Sequence, residues 1–148
     1  MVLKLQQSQL QTIRTHAEST YPHECCGIML GVGEDSKTLV EVWATENAWS
    51  AESEFPDSEL VTTKRRYAIA PATLLQAQRA ARERYLDIIG IYHSHPDNCA
   101  IPSEFDRLCA WHQYSYIIVS VQQGKAGDLL CWSLDRDNRF QPEEILTV

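Results

Sequence analysis

The sequence contains no apolar run long enough to cross a bilayer; its best hydrophobic stretches last only a few residues, whereas a spanning helix needs about 20. It also lacks excess positive charge. Thirteen Lys and Arg stand against twenty Asp and Glu, a formal charge of −7. That excludes the usual source of nucleic-acid affinity, the neutralisation of phosphates by basic side chains. The one basic cluster, Lys64-Arg65-Arg66, is short and reads as solvated surface. No Cys-x-x-C pair occurs, and the five cysteines are an odd number with two adjacent, Cys25 and Cys26. Neither a disulfide framework nor a cysteine zinc site follows, and a reducing compartment is expected. Cys26, Cys109 and Cys131 lie among apolar neighbours and read as small hydrophobes. The N-terminal MVLKLQQSQLQTI has one Lys and no unbroken apolar stretch, unlike a signal peptide, so the expected location is cytoplasmic.

What is present suits one globular unit. The 148 residues are 44% hydrophobic, enough to bury a core, and the expectation is a single domain over 1–148. Residues 2–5 read as a short strand. Ser8 followed by Gln11 reads as a capping box for a helix over 8–20 with Leu10, Ile13 and Ala17 on one face. Tyr21-Pro22 ends it. Cys26–Val32 reads as a buried strand and Thr38–Thr45 as its antiparallel return. Residues 47–64 are polar and acidic with Pro56 and no period, which reads as a long loop, of a kind that is either functional or mobile. Arg66–Ala70 reads as a strand, and Pro71 as the first position of a helix ending near Tyr85. A strand over Leu86–Tyr92 follows, then a helix opened by Ser103 through Ala110 and Trp111. Two further strands, Tyr114–Val121 and Leu129–Leu134, are joined by a turn containing Gly124 and Gly127. The alternation predicts an α/β fold with a mixed or antiparallel sheet.

Chemistry concentrates in one stretch, from Ile91 to Asp106. In extended chain, positions i and i+2 face the same side, so His93 and His95 can aim both imidazoles at one point. Pro96 then takes the chain out of the sheet. Ser103 and Asp106 share a helix face, and Ser103 can cap the helix that aims Asp106. Two histidines and a carboxylate leave a fourth position open on zinc, the pattern of a catalytic rather than a structural ion. Other zinc patterns fail. His23-Glu24 does not continue as His-Glu-x-x-His, because position 27 is Gly, and no Pro-Cys-x-x-Cys follows a His-x-Glu. His23 reads as surface or outer support, and isolated His16 and His112 read as structural. Cys99, inside the motif, reads as a loop cysteine without a role.

His93-Ser94-His95-Pro96, six residues, then Ser103-x-x-Asp106 resembles the signature of the JAMM/MPN+ metalloproteases. Pro22-His-Glu24-Cys25-Cys26-Gly27 is similar to the segment that carries that family's catalytic glutamate. The resemblance covers the chain from about residue 3 to 134. It implies an MPN/JAB fold of cytidine-deaminase-like architecture, a mixed and largely antiparallel β-sheet flanked by helices. It implies one zinc ion on His93, His95 and Asp106, Glu24 as general base, and Ser103 as donor to the polarised carbonyl or its oxyanion. The implied activity is a zinc peptidase or isopeptidase acting at the C-terminal tail of a ubiquitin-like protein. In small stand-alone relatives that substrate is a sulfur carrier ending in Gly-Gly. Strand addition would hold such a tail, with Trp49 and Phe55 of the acidic loop as apolar anchors. Two other readings stand beside it: a non-catalytic MPN-type scaffold, whose members typically lose ligand residues that are all present here, and a zinc amidase acting on small molecules. The oligomeric state is left open.

Overall fold

The computed structural model describes residues 1–49 and 66–148. The elements run β1 (Val2–Leu5), α1 (Gln7–Thr20), β2 (Cys26–Val32), β3 (Ser36–Thr45), α2 (Pro71–Glu83), β4 (Asp87–Pro96), α3 (Glu104–Leu108), β5 (Ser115–Gln122), β6 (Lys125–Leu134) and β7 (Phe140–Thr147). The strands lie in the order β1-β3-β2-β4-β5-β6-β7 and close into a barrel. β1 is parallel to both β3 and β7, and β4 is parallel to β5. The β2–β3, β2–β4, β5–β6 and β6–β7 pairs are antiparallel. The expected mixed α/β architecture is therefore present, and the sheet is closed rather than open. Closure comes from β7, a strand absent from the sequence expectation. Its FQPEEILT run is polar and holds Pro142, which mutes a strand signal.

Two apolar clusters explain why β2 is hydrophobic along most of its length. Alternate residues of a strand face opposite sides, and both sides of β2 are covered. Met29 faces the cluster in which Leu10, Ile13 and Ala17 of α1 pack against Leu3, Leu5, Tyr92, Ile117 and Val119. Ile28 and Leu30 face the other side, against Ala77 and Ala81 of α2. Burying each of the Leu, Ile, Val and Met side chains contributes roughly 1.5–3 kcal/mol. This double cover fixes β2 and β4 as the framework from which the site projects.

Several boundaries differ from expectation. The N-terminal box of α1 sits two residues earlier: Gln6 N–H donates to Gln9 Oε1 at 2.8 Å, and Ser8 is not the cap. Residues 66–70 form no strand. Helix α3 stops at Leu108, and Trp111 lies beyond it, exposed. β4 does not end at Tyr92 but runs through the histidine motif to Pro96, whose Cα is still paired with Val121. Pro96 is the last residue of the strand, so it closes the ladder rather than preventing it. Phe55, read as an anchor, lies outside the described residues with most of the acidic loop. Trp49 is buried and packs edge-on against Phe105, ring centroids 5.7 Å apart.

Candidate metal centre

His93 and His95 lie on β4 with Ser94 between them, so their side chains share the face that also carries Ile91 and its partner Ile28. That is the α2 side of the sheet, and the motif sits where β4 leaves it. Downstream, Ser103 N-caps α3 and aims Asp106. Ser103 Oγ accepts from the Asp106 N–H at 3.0 Å, and Ser103 N–H donates to Asp106 Oδ2 at 2.9 Å. This reciprocal box ties the carboxylate's position to the start of the helix.

The result is a triangle of atoms. His93 Nε2 and His95 Nε2 are 3.2 Å apart, and Asp106 Oδ2 is 3.3 Å from the first and 3.1 Å from the second. Ligands about 2.0–2.1 Å from a tetrahedral zinc must be separated by roughly this amount. The chemistry of the atoms agrees. His95 Nδ1 lies 2.8 Å from the Cys99 carbonyl, which can only accept, so Nδ1 carries the proton and Nε2 presents a lone pair. Burial disfavours the His93 imidazolium, although Asp106 pulls the other way. Burial also opposes ionisation of Asp106, but protons on the facing His93 and His95 nitrogens, or a cation in their place, together with the Ser103 N–H outweigh it and hold the carboxyl well below its usual range. Two imidazole lone pairs and a carboxylate facing one point repel one another unless a cation sits between them. These residues fit a zinc ion, and they are the one such cluster among the described residues.

Glu24 reaches this point through strand pairing. Cys26 pairs with His93, and continuing that antiparallel register two residues sets Glu24 opposite His95. The bonds between them bear this out: Cys25 N–H donates to Ser94 Oγ at 2.8 Å, and Ser94 N–H to the Cys25 carbonyl at 3.2 Å. Glu24 is buried, and that burial, reinforced by the Asp106 charge and opposed by Arg66, raises its carboxyl well above the ordinary value. Glu24, Arg66, His95, Cys99, Ile101 and Ser103 line one cavity of 420 Å³. A larger hollow of 960 Å³ lies at the other end of β4, around Lys37, Asp87 and Ile89, away from the triangle.

The sequence reading missed three contributors. Arg66 is half-buried rather than freely solvated, with Lys64 and Arg65 outside the described residues; it lines the cavity with its guanidinium 4.2 Å from the Phe105 ring centre. Tyr67 stacks on His93 with centroids 4.5 Å apart. Asn47 ties the segments together, its Nδ2 donating to the Glu24 carbonyl at 3.1 Å and the Arg66 carbonyl at 2.9 Å. Nothing local marks these residues, because their partners are distant in sequence. His16 Nδ1 lies 2.7 Å from the Tyr92 hydroxyl, and His112 lies against Asn138. Cys99 is exposed, Cys26 and Cys131 are buried, and Cys109 is partly covered.

The model of the family described as prokaryotic homologs of the JAB domain matches residues 6–135. Tail tip assembly protein K of Escherichia phage N15 is 30% identical over 118 residues; the match takes in 76% of this chain but 40% of that protein, so the chain spans less than half of it. A protein named desampylase from Haloferax volcanii is 29% identical over 114 residues, covering 76% of this chain and 73% of the relative. A JAB1/MPN domain protein from Archaeoglobus fulgidus superposes with a TM-score of 0.53 at 18% identity, over 97% of this chain and 96% of that one, a likeness of fold.

Proposed function

The chain belongs to the prokaryotic homologs of the JAB domain, and on that footing we propose that it is a zinc-dependent peptidase or isopeptidase. Its substrate is an amide at the C-terminal tail of a ubiquitin-like protein, of the sulfur-carrier kind ending in Gly-Gly. The observation that carries the reading is the triangle of His93 Nε2, His95 Nε2 and Asp106 Oδ2 beside a cavity lined by buried Glu24. The desampylase relative supports the same direction.

His93, His95 and Asp106 would hold a zinc ion, which would supply a Lewis acid to polarise an amide carbonyl and acidify water. Glu24 takes the proton of the attacking water as its oxygen bonds to the carbonyl carbon. The same carboxyl returns that proton to the amine nitrogen as the C–N bond breaks. Ser103 Oγ accepts from Asp106 N–H, which leaves its own proton free to donate to the carbonyl oxygen as charge grows there. Burial of Glu24 suits this role, since a base of ordinary carboxylate strength gives up a proton too readily to hold it between the two steps.

The test combines metal content with turnover. Protein purified without chelator is expected to carry near one equivalent of zinc, as is Glu24→Gln, whereas His93→Ala carries little. Mass spectrometry of Gly-Gly-tailed carrier conjugates should show trimming that stops at Gly-Gly. Turnover by Glu24→Gln should fall roughly 10²- to 10⁴-fold. Wild-type protein without zinc, or wild-type activity in Glu24→Gln, overturns the proposal. Cleavage of unrelated peptides alone overturns its substrate.

A further inference from the structure

The two histidines of the triangle are held differently. As a ligand through the Nε2 that faces the triangle, each carries its ring proton on Nδ1. A histidine that ligates a metal almost always donates this second N–H to a carbonyl, carboxylate or water, which fixes the ring's orientation. His95 does so through the Cys99 carbonyl at 2.8 Å. His93 does not: its Nδ1 is buried and has no hydrogen-bond partner among the described residues. Against its imidazole lies the Tyr67 ring instead, centroids 4.5 Å apart and planes 23° from parallel.

Tyr67 belongs to no helix or strand, so its place needs another cause. The cause is Asn47. Its Nδ2 donates to the Arg66 carbonyl at 2.9 Å and its Oδ1 accepts from the Ala68 N–H at 3.1 Å, so one side-chain amide grips the chain on both sides of Tyr67. The same amide donates to the Glu24 carbonyl at 3.1 Å and accepts from the Trp49 N–H at 3.0 Å. Both of its donors and both of its lone pairs are thus engaged. The Ala48 N–H adds a bond to the Ala68 carbonyl at 2.8 Å.

Resting on the zinc reading above, we propose that Tyr67 is a positioning residue for His93, its stacked ring taking the place of an outer hydrogen bond, and that Asn47 acts through Tyr67. Rotation about Cβ–Cγ is the freedom left to an imidazole whose backbone is fixed in a strand. The stack removes most of it, because that rotation drives one edge of the imidazole into the Tyr67 face. His93 Nε2 is thereby held toward the point it shares with His95 and Asp106, so the entropy of ordering the ring does not count against metal binding. The face of the Tyr67 ring does this; its hydroxyl has no part in it.

Two measurements on the full chain decide the matter: zinc affinity by competition with a chromophoric chelator, and the visible spectrum of the cobalt-substituted protein. Tyr67→Leu should weaken zinc binding roughly 3- to 10-fold, the scale of one aromatic pair. It should also broaden the cobalt bands, as the His93 ring loses its single orientation. Tyr67→Phe, which keeps the ring and drops the hydroxyl, should match the wild type in both. Asn47→Ala should weaken zinc binding on its own and add nothing in the Tyr67→Leu background, the non-additivity of two residues acting in series. Wild-type affinity and spectrum in Tyr67→Leu overturn the proposal, as does an equal loss in Tyr67→Phe and Tyr67→Leu. Weaker binding with an unchanged cobalt spectrum overturns it too, the mark of general loosening rather than of a misaimed ligand. Additive losses overturn the part given to Asn47. If the wild-type protein takes up neither zinc nor cobalt, the zinc reading itself falls and this inference with it. Undiminished uptake in every Tyr67 and Asn47 variant removes only the inference.

Discussion

Single side chains here do two tasks at once, and Ser103 is the clearest case. Its hydroxyl oxygen caps α3 while the residue lines the cavity, where its proton is left to donate. Ser103→Ala should therefore cost about 1 kcal/mol in denaturant unfolding and, separately, roughly 10²- to 10³-fold in turnover. Ser103→Thr, which keeps both functions of the hydroxyl, should restore most of each. A cost in stability without one in turnover refutes the oxyanion role. The thiols also separate by environment. Burial pushes Cys25 up to about 12, with Ser94 partly opposing, and Cys26 to about 11, with Thr45 opposing. A thiol reacts through its thiolate, and at pH 8 that form of Cys25 is on the order of one part in ten thousand. Iodoacetamide labelling of folded protein at pH 8, read by peptide mass spectrometry, should modify exposed Cys99 first and leave Cys25 and Cys26 intact.

At the scale of elements, the pairing of β2 with β4 joins the two halves of the site. Glu24 lies just before β2, the histidines lie near the end of β4, and antiparallel register sets them side by side. Ser94 locks this junction from the inner face, its hydroxyl accepting the buried Cys25 N–H. Ser94→Ala leaves that N–H without its acceptor, an expected loss of about 1–3 kcal/mol. It should also lower turnover more than zinc content, because Glu24, the proposed base, shifts while both histidines stay on an intact strand. Equal loss of zinc and activity would show instead that Ser94 shapes the histidines. The histidine spacing, the capping pair and the Pro71 helix start were legible because each is written in a few adjacent residues. The true end of β4 was less so: Pro96 signals an exit but does not say that the ladder persists up to it. β7 was illegible, since its pairing with β1 spans nearly the whole chain and its own residues are polar.

For the whole molecule, barrel closure encloses a second polar centre remote from the triangle. Lys37 Nζ donates to the carbonyls of Ile89 at 3.2 Å and Gln113 at 2.8 Å and to Ser115 Oγ at 2.9 Å. Ser115 in turn donates to the Glu143 carboxylate at 2.9 Å. The network joins β3, β4, β5 and β7, with every Nζ donor engaged. Lys37→Met leaves Glu143 buried without its cation and should cost about 3–5 kcal/mol. The double variant Lys37→Met with Glu143→Leu should recover a substantial part, measured by urea unfolding. Additive losses would mean that the two charges are not coupled.

The sequence by itself determined the candidate ligands His93, His95 and Asp106, the capping Ser103 beside them, and the class of fold, because these residues lie within one strand–loop–helix passage whose local periodicities place them. Its family resemblance also picked out Glu24. Only the tertiary structure decided that Glu24 meets the triangle, that Arg66 turns into the cavity over Phe105, that Tyr67 covers His93, and that the sheet closes through β7. The physical reason is the same for each. Backbone periodicity fixes where a side chain points relative to its neighbours in sequence, whereas register, stacking and closure depend on partners supplied by distant segments.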